Sequence, residues 1–313
     1  MRVLACPASL KGVLSAPAAA AALAAGVRGG GADAVELPVA DGGEGTAEVL
    51  HRALGGRWHV ASVEDAFGAV RDVPWLALPE GSAVVEAAAA VPLDPRRLDP
   101  LAASSRGLGQ LASAALAERP AALVVCLGGT ATVDGGAGLR EVLQTLEVPT
   151  YALCDVRTPL WDAPRVFGPQ KGASPTDVPL LERRLALLPE LVPYAELPGA
   201  GAAGGLGAAL AALGARLVPG AQWVLDALRL DRHLAAVDLV VTGEGRVDAT
   251  TRAGKAPAAV AAAAAARGVR CIVFGGIVAE PLPGVETVPL SGDPARAADD
   301  LRELGEELAA RCR

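Results

Sequence analysis

Short apolar runs, each closed by a polar segment containing glycine and followed by an alanine-rich stretch, set the rhythm of this 313-residue chain. RVLACP (2–7) predicts a short buried strand, ASLKGVLSAP (8–17) a loop, and Ser15 the cap of an alanine-rich helix reaching about Arg28. Gly29–Gly31 end that helix. AVELPVA (34–40) then reads as a second strand, ADGGEGT (40–46) as the loop at its carboxyl end, and AEVLHRAL (47–54) as a helix. Strand, loop and helix repeated in this way predict a parallel α/β layer, whose ligands bind at the loops that follow the strands.

From Gly55 the period changes. Residues 57–88 read as three short strands with turns at 66–68 and 79–81, antiparallel in character, so a second domain begins here. PLDPRRLDPL (92–101) is a loop, and SSRGLGQLASAALAE (104–118) a helix opened by a turn of the anion-binding type. AALVVCL (121–127) is a buried strand that runs into GGTATVDGGAG (128–138) and a helix start at LREVLQ. YALCDV (151–156) is another strand, with Asp155 near its end. A Gly/Pro-framed loop carrying Lys171 precedes a helix at about 178–190. PGAGAAGGLGAALAAL (198–213) then feeds five glycines into an alanine-rich helix.

Near 236 the first pattern returns: strand, the polar glycine loop TGEGRVD (242–248), and helix. Strands at VRCIVFGGIV (269–278) and VETVPL (285–290) follow, then an amphipathic helix from Asp293. The predicted fold class is α/β with two domains. Residues 1–58 and 236–313 form one parallel α/β domain, and 59–235 form a second α/β domain inserted into it.

Composition changes the picture in three ways. With 52% hydrophobic but only 3% aromatic residues, the core is built from Ala, Val and Leu, which favours helices packed closely on a parallel sheet. A net charge of −7 without a basic face argues against nucleic acid. No apolar run spans a bilayer and no leader is visible, so the reading is a cytoplasmic protein without a membrane partner. Cys6, Cys126, Cys154, Cys271 and Cys312 are scattered without a CxxC pair and read as free thiols. Finally, asparagine is absent, and of 28 Lys and Arg residues only three are lysines: Lys11, Lys171 and Lys255. Each sits in a turn or loop marked by Gly or Pro, where a compact movable ammonium serves and a planar fork does not.

The loop 128–138 holds five glycines, with Thr130, Thr132 and Asp134 among its polar side chains. Its backbone can approach a ligand closely and offer N–H groups to an anion. Asp134 fits such a loop when a metal ion or a substrate hydroxyl joins the anion. His51, His59 and His233 lie outside every glycine loop and read as structural or surface residues. Neither GxGxxG after the first strand nor a Walker GxxxxGK[ST] run is present, which removes the dinucleotide and P-loop readings.

Taken together, SLKGVLSA (9–16), PVADGGEGT (38–46), GGTATVDGGAG, CDV (154–156), VFGPQKGAS (166–174), PGAGAAGGLGAAL (198–210) and TGEGRVD with Gly254–Lys255 resemble the type I glycerate kinases, the bacterial glycerate 2-kinase family. The resemblance runs in family order over nearly the whole chain. It implies a Rossmann-like α/β domain carrying a second α/β domain, and phosphorylation of D-glycerate by ATP with Mg²⁺, typically at the 2-hydroxyl. On the matching positions it implies catalytic roles for Lys11, Asp41, Asp134, Lys171 and Lys255. Substrate or nucleotide contacts fall to Ser9, Gly42, Gly43, Glu44, Gly128, Gly129, Thr130, Gly135, Gly136, Gly204, Gly243, Glu244 and Gly245, and metal contacts to Asp155 and Asp248. The motifs do not separate base from metal ligand among these carboxylates, and they leave a homo-oligomer open. The chain departs from the family at Ala8, where an Asp is usual, at Val133 for Asn, at Leu108 for Thr, and in a shortened 157–165 segment. These departures bear on substrate choice. They also define the alternative, an impaired relative that binds a nucleotide or sugar acid as a regulator.

Overall fold

The computed structural model describes residues 1–252 and 254–311; Cys312 lies outside the described residues. The strands in chain order are β1 (Arg2–Ala5), β2 (Asp33–Glu36), β3 (Arg57–Glu64), β4 (Val70–Ala77), β5 (Ser82–Glu86) and β6 (Ala122–Cys126). They continue with β7 (Thr150–Cys154), β8 (Arg216–Pro219), β9 (Leu239–Val247), β10 (Arg270–Val278) and β11 (Glu286–Pro289). The protein is α/β with two domains, a Rossmann-like parallel domain carrying a second, inserted α/β domain. The compact units are Met1–Asp41 with Glu48–Ala53 and Ala221–Arg313, and Gly42–Ala47 with Leu54–Gly220.

In the first unit five parallel strands run in the order β11-β10-β9-β1-β2. The apolar runs explain this: Val3–Ala5, Val240, Val241 and Ile272–Phe274 are fully buried, as strands covered on both faces must be. Helices Ala16–Gly29 and Ala297–Ala310 pack against each other through glycine. A Cβ on Gly26 would lie 2.0 Å from Arg302 O, and one on Gly305 would lie 2.5 Å from Leu23 O. Ser15 caps the first of these helices as its position predicts, its Oγ accepting from the Ala18 N–H at 3.4 Å. Helix Ala256–Ala266 packs on β9 and β10 through Ala261, Val273 and Val247. Strand order reverses at β1, because the chain steps to β2 on one side and later to β9 on the other. That reversal makes a topological switch point at the carboxyl ends of β1 and β9.

One expectation is corrected here. Residues 243–247 are not a free glycine loop but the carboxyl half of β9, paired with β10 from Gly243↔Phe274 to Val247↔Val278. Glycine is needed at 243 because a Cβ would lie 2.2 Å from Phe274 O.

The second unit holds a six-stranded sheet in the order β3 to β8. β3–β4 and β4–β5 are antiparallel, as the change of period from Gly55 predicts, and the remaining pairs are parallel. Asp65 Oδ1 closes the first hairpin by accepting from the Phe67 and Ala69 N–H groups at 2.8 and 2.9 Å. His59 stacks on Trp75 at 4.3 Å, a packing role. The helix expected at 178–190 stops at Ala186, and Pro189 and Pro193 shape the next stretch of chain into the 3₁₀ segment Pro189–Tyr194. Cys6, Cys126 and Cys154 are buried free thiols and Cys271 is half-buried. Burial pushes the Cys154 thiol up to about 11 and that of Cys271 to about 12, which keeps both unreactive. No described helix is long and apolar enough to cross a membrane.

Candidate functional site

The switch point of the first unit collects two of the three lysines. The loop after β1 carries Ser9 and Lys11. It is laced to β9 by backbone bonds, with the Cys6 N–H donating to Val241 O at 2.8 Å and the Ala8 N–H to Gly243 O at 2.9 Å. Gly245 packs on this loop so closely that a Cβ there would lie 3.3 Å from Leu10 Cα and 3.5 Å from the Lys11 nitrogen. Between these glycines β9 presents Glu244. Its Oε1 accepts from Thr251 Oγ1 at 2.6 Å, and its Oε2 lies 3.5 Å from Lys255 Nζ. Burial raises the Glu244 carboxyl pKa and the nearby Asp41 charge adds to that, while Thr251 and Lys255 oppose both. Lys255 thus sits beside a half-buried carboxylate at the sheet's carboxyl edge, and the backbone of the Lys11 loop packs on the neighbouring Gly245. Lys255 is also the N-terminal cap residue of helix Ala256–Ala266, where a cation opposes the helix dipole.

Asp248 has other partners. Its Oδ1 accepts from the Thr250 N–H and Oγ1 at 2.8 and 2.6 Å, and Arg246 Nε reaches Oδ2 at 3.2 Å. These hydrogen bonds, from Thr250 above all, hold its carboxyl below the usual range. It caps the turn that opens helix Ala249–Arg252.

In the second unit Gly128 and Gly129 follow β6, and Thr130, Thr132 and Asp134 of the same loop are buried. Lys171, in the 3₁₀ turn Pro169–Lys171, is also buried. Its Nζ donates to Thr132 O at 2.7 Å and to Thr130 Oγ1 at 3.2 Å. Desolvation lowers its pKa to about 7, against the opposing pull of the Asp134 charge.

The structure gives Asp134 a different task from the metal or hydroxyl contact its position in the loop suggests. It is fully buried, with Oδ2 accepting from the Ser105 N–H and Oγ and the Gly138 N–H at 2.8, 2.7 and 3.2 Å. Its Oδ1 accepts from the Gly136 N–H at 3.0 Å. The anion that the turn at 104–106 binds is therefore this chain's own carboxylate, seated at the N-terminus of helix Arg106–Ala117. Gly135 and Gly136 take φ of 64° and 70° to make the bend. Gly204 packs on the same loop: a Cβ there would lie 2.0 Å from Thr132 O, and its carbonyl accepts from the Gly135 N–H at 3.0 Å.

Residues 42–46 are held by Glu86, at the end of β5, which accepts from the Gly45 and Ala47 N–H groups at 3.2 and 2.7 Å. Gly42 is packed under Leu153 and Gly220, and Thr46 Oγ1 donates to Gly43 O at 2.8 Å. Glu44 is exposed, its carboxylate beside Gly129. Asp155 follows β7 and is half-buried. Glu86, Ser105 and Thr251 escape a reading of the sequence, because each acts through a partner remote in the chain or through the backbone.

The parallel domain with its switch point and the second α/β domain with a lysine buried at its glycine loop are those of a kinase, as comparison with known proteins shows. The sequence model of the glycerate kinase family matches residues 3–148 and 140–291, and the chain belongs to that family. The glycerate 2-kinase of Escherichia coli K12 is 37% identical, over 83% of this chain and 81% of that relative. The glycerate kinase of Bacillus subtilis 168 is 33% identical over 99% of this chain and 97% of its own length. A crystal structure titled as a candidate glycerate kinase 2 from Salmonella typhimurium LT2 superposes with a TM-score of 0.83 at 33% identity. It covers 100% of this chain and 98% of its own.

Proposed function

We propose that this kinase transfers the γ-phosphoryl group of ATP to D-glycerate, at the 2-hydroxyl, with magnesium. The observation that carries the reading is the pairing of Lys255 with the half-buried Glu244 at a topological switch point, where the loop of Lys11, another of only three lysines, packs on Gly245. Sheet crevices of this kind receive anionic ligands, and the family supplies the reaction class.

Phosphoryl transfer requires in-line positioning, cations around the moving group, and a place for the hydroxyl proton. In the proposed assignment Lys11 and Lys255 neutralise phosphate charge, and Ser9 with the backbone about Gly245 contacts the nucleotide. Glu244, with its raised carboxyl pKa, is matched to take the hydroxyl proton. The half-buried Asp41, close enough to act on Glu244 electrostatically, fits magnesium, which takes one or two carboxylate oxygens and leaves the rest to phosphate and water. Bound there, magnesium would supply charge neutralisation on the phosphates. Asp155 remains a second candidate ligand, whereas the carboxylate of Asp248 is engaged in its turn. In the second unit Gly128, Gly129 and Glu44 offer contacts to a small hydroxy acid, and Lys171 adds positive charge. Asp134, Gly135, Gly136 and Gly204 shape the loop, while Gly42, Gly43 and Gly243 allow close backbone packing.

The test is ADP release with D-glycerate, ATP and Mg²⁺, with the product passed to enolase in the presence or absence of phosphoglycerate mutase. Signal with enolase alone identifies the 2-phosphate; a requirement for mutase identifies the 3-phosphate. Nucleotide binding without turnover would instead establish the regulatory alternative. A further prediction concerns Ala8, which holds Gly243 through its backbone and is half-buried. A carboxylate there would help fix the Lys11 ammonium. Ala8→Asp is expected to raise kcat/KM for D-glycerate by about tenfold, measured against a panel of 2-hydroxy acids.

A further inference from the structure

Ser105 stands at the N-terminal cap of helix Arg106–Ala117, yet its hydroxyl makes no cap bond to that helix. It turns to the glycine loop instead: Oγ donates to Asp134 Oδ2 at 2.7 Å and accepts from the Leu139 N–H at 2.9 Å. Its own N–H donates to the same Asp134 oxygen at 2.8 Å. Ser105 and Asp134 are both 0% exposed. The fit around them is tight, since a Cβ on Gly138 would lie 2.2 Å from Ser104 Oγ and 2.6 Å from the Arg106 nitrogen. Residues 134–139 are therefore bolted to residues 104–106. The other end of this loop supplies Thr130 Oγ1 and Thr132 O, the two acceptors of the Lys171 ammonium.

A side chain that neither touches solvent nor caps its helix, but unites a buried carboxylate with the next backbone N–H, fixes where the rest of the loop goes. We infer that Ser105 is a positioning residue for phosphoryl transfer: through Asp134 it sets the path of the 128–138 loop and hence the seat of Lys171. The kinetic part of this inference rests on the kinase reading above. The spectroscopic part does not.

Ser105→Ala removes one donor from Asp134 and one acceptor from Leu139 while retaining the Ser105 backbone bond. Expected is a fall in kcat of about tenfold with KM for both substrates changed by less than about twofold, the pattern of a contact that matters in the transition state. Ser105→Thr keeps the hydroxyl and is expected to recover most of the loss. Because the chain holds only three lysines, NMR of the lysine side-chain amines resolves Lys171 on its own. Ser105→Ala should shift the Lys171 signal and leave Lys11 and Lys255 in place. A Lys171 signal unmoved in folded Ser105→Ala overturns the inference even if the parent proves inactive on glycerate. So does equal kcat in the parent and Ser105→Ala, or an equal loss in Ser105→Thr tracking lowered stability alone. Should Ser105→Ala fail to fold, Ser105→Cys, a weaker donor of similar volume, takes its place in the same measurements, and the same results support or overturn the inference.

Discussion

Lys171→Met is expected to cost this kinase about a hundredfold or more in kcat while leaving it at least as stable as the parent at neutral pH. The loss of rate follows from the role proposed for Lys171, whose ammonium, when protonated, adds positive charge for the transfer, worth on the order of 3 kcal/mol when such a group acts in a water-excluded site. The stability follows from burial. Lys171 is 3% exposed and its pKa falls to about 7 from an ordinary 10.5, because desolvation outweighs the pull of Asp134. Between these two values the unfolded chain holds the proton and the folded chain does not. The unfolded state therefore binds more protons, and parent stability rises with pH across that window. Below about pH 7 both states are charged and the full penalty applies. Methionine removes the proton altogether. Denaturant midpoints measured from pH 6 to 10 should climb for the parent and lack that climb in Lys171→Met. Parallel profiles would mean that the ammonium is not desolvated as the geometry indicates.

Asp134→Asn is expected to destabilise the protein by about 3 kcal/mol and to reduce activity with it. The change is nearly isosteric, so the loss isolates the charge and its acceptors. Oδ2 meets three donors, the Ser105 N–H, the Ser105 hydroxyl and the Gly138 N–H. Asparagine keeps only one acceptor oxygen: with it turned to these three donors, its NH2 faces the Gly136 N–H, and that buried donor loses its acceptor. The favourable interaction of a carboxylate with the N-terminus of helix Arg106–Ala117 goes as well. Urea unfolding of both proteins checks the magnitude. A loss below about 1 kcal/mol would show that the loop keeps its path without the carboxylate.

Much of the fold is written locally. Apolar runs of four or five residues, each followed by glycine and then alanine, give the parallel strands of the first unit. The alternation after Gly55 gives the three antiparallel strands β3 to β5. Ser15 gives its helix start. What the sequence leaves hidden depends on partners far along the chain. β8 (RLVP) and helices Gly220–Ala227 and Leu230–Leu234 carry no clear period, being too short to show one. TGEGRV looks like a loop because of its glycines; its pairing with Phe274–Val278 makes it strand. The same limit shapes the site. Lysine scarcity draws attention to Lys11, Lys171 and Lys255, a signal that needs no partner. Asp134, by contrast, looks like a ligand-binding carboxylate until Ser105, 29 residues earlier, is seen to occupy it. Glu86 has no local signature, since the N–H groups it holds lie 41 and 39 residues away.

The strand order of the first unit has a consequence for how the protein is made. β1 leaves the ribosome well before β9, yet it lies between β2 and β9, and Val3 pairs with Leu239. Until residue 239 has emerged, β1 and β2 form a two-stranded fragment without the rest of their sheet. The second sheet, β3 to β8, is contiguous in the sequence and complete by Pro219. At 5–20 residues per second the N-terminal segment waits roughly ten to forty seconds for its partners. During that wait the buried strand Val3–Ala5 and the alanine-rich helix behind it are exposed to chaperones and to other nascent chains. Synthesis thus favours folding the insertion first and closing the N-terminal sheet last, with the long-range pairing of β1 as the slow step.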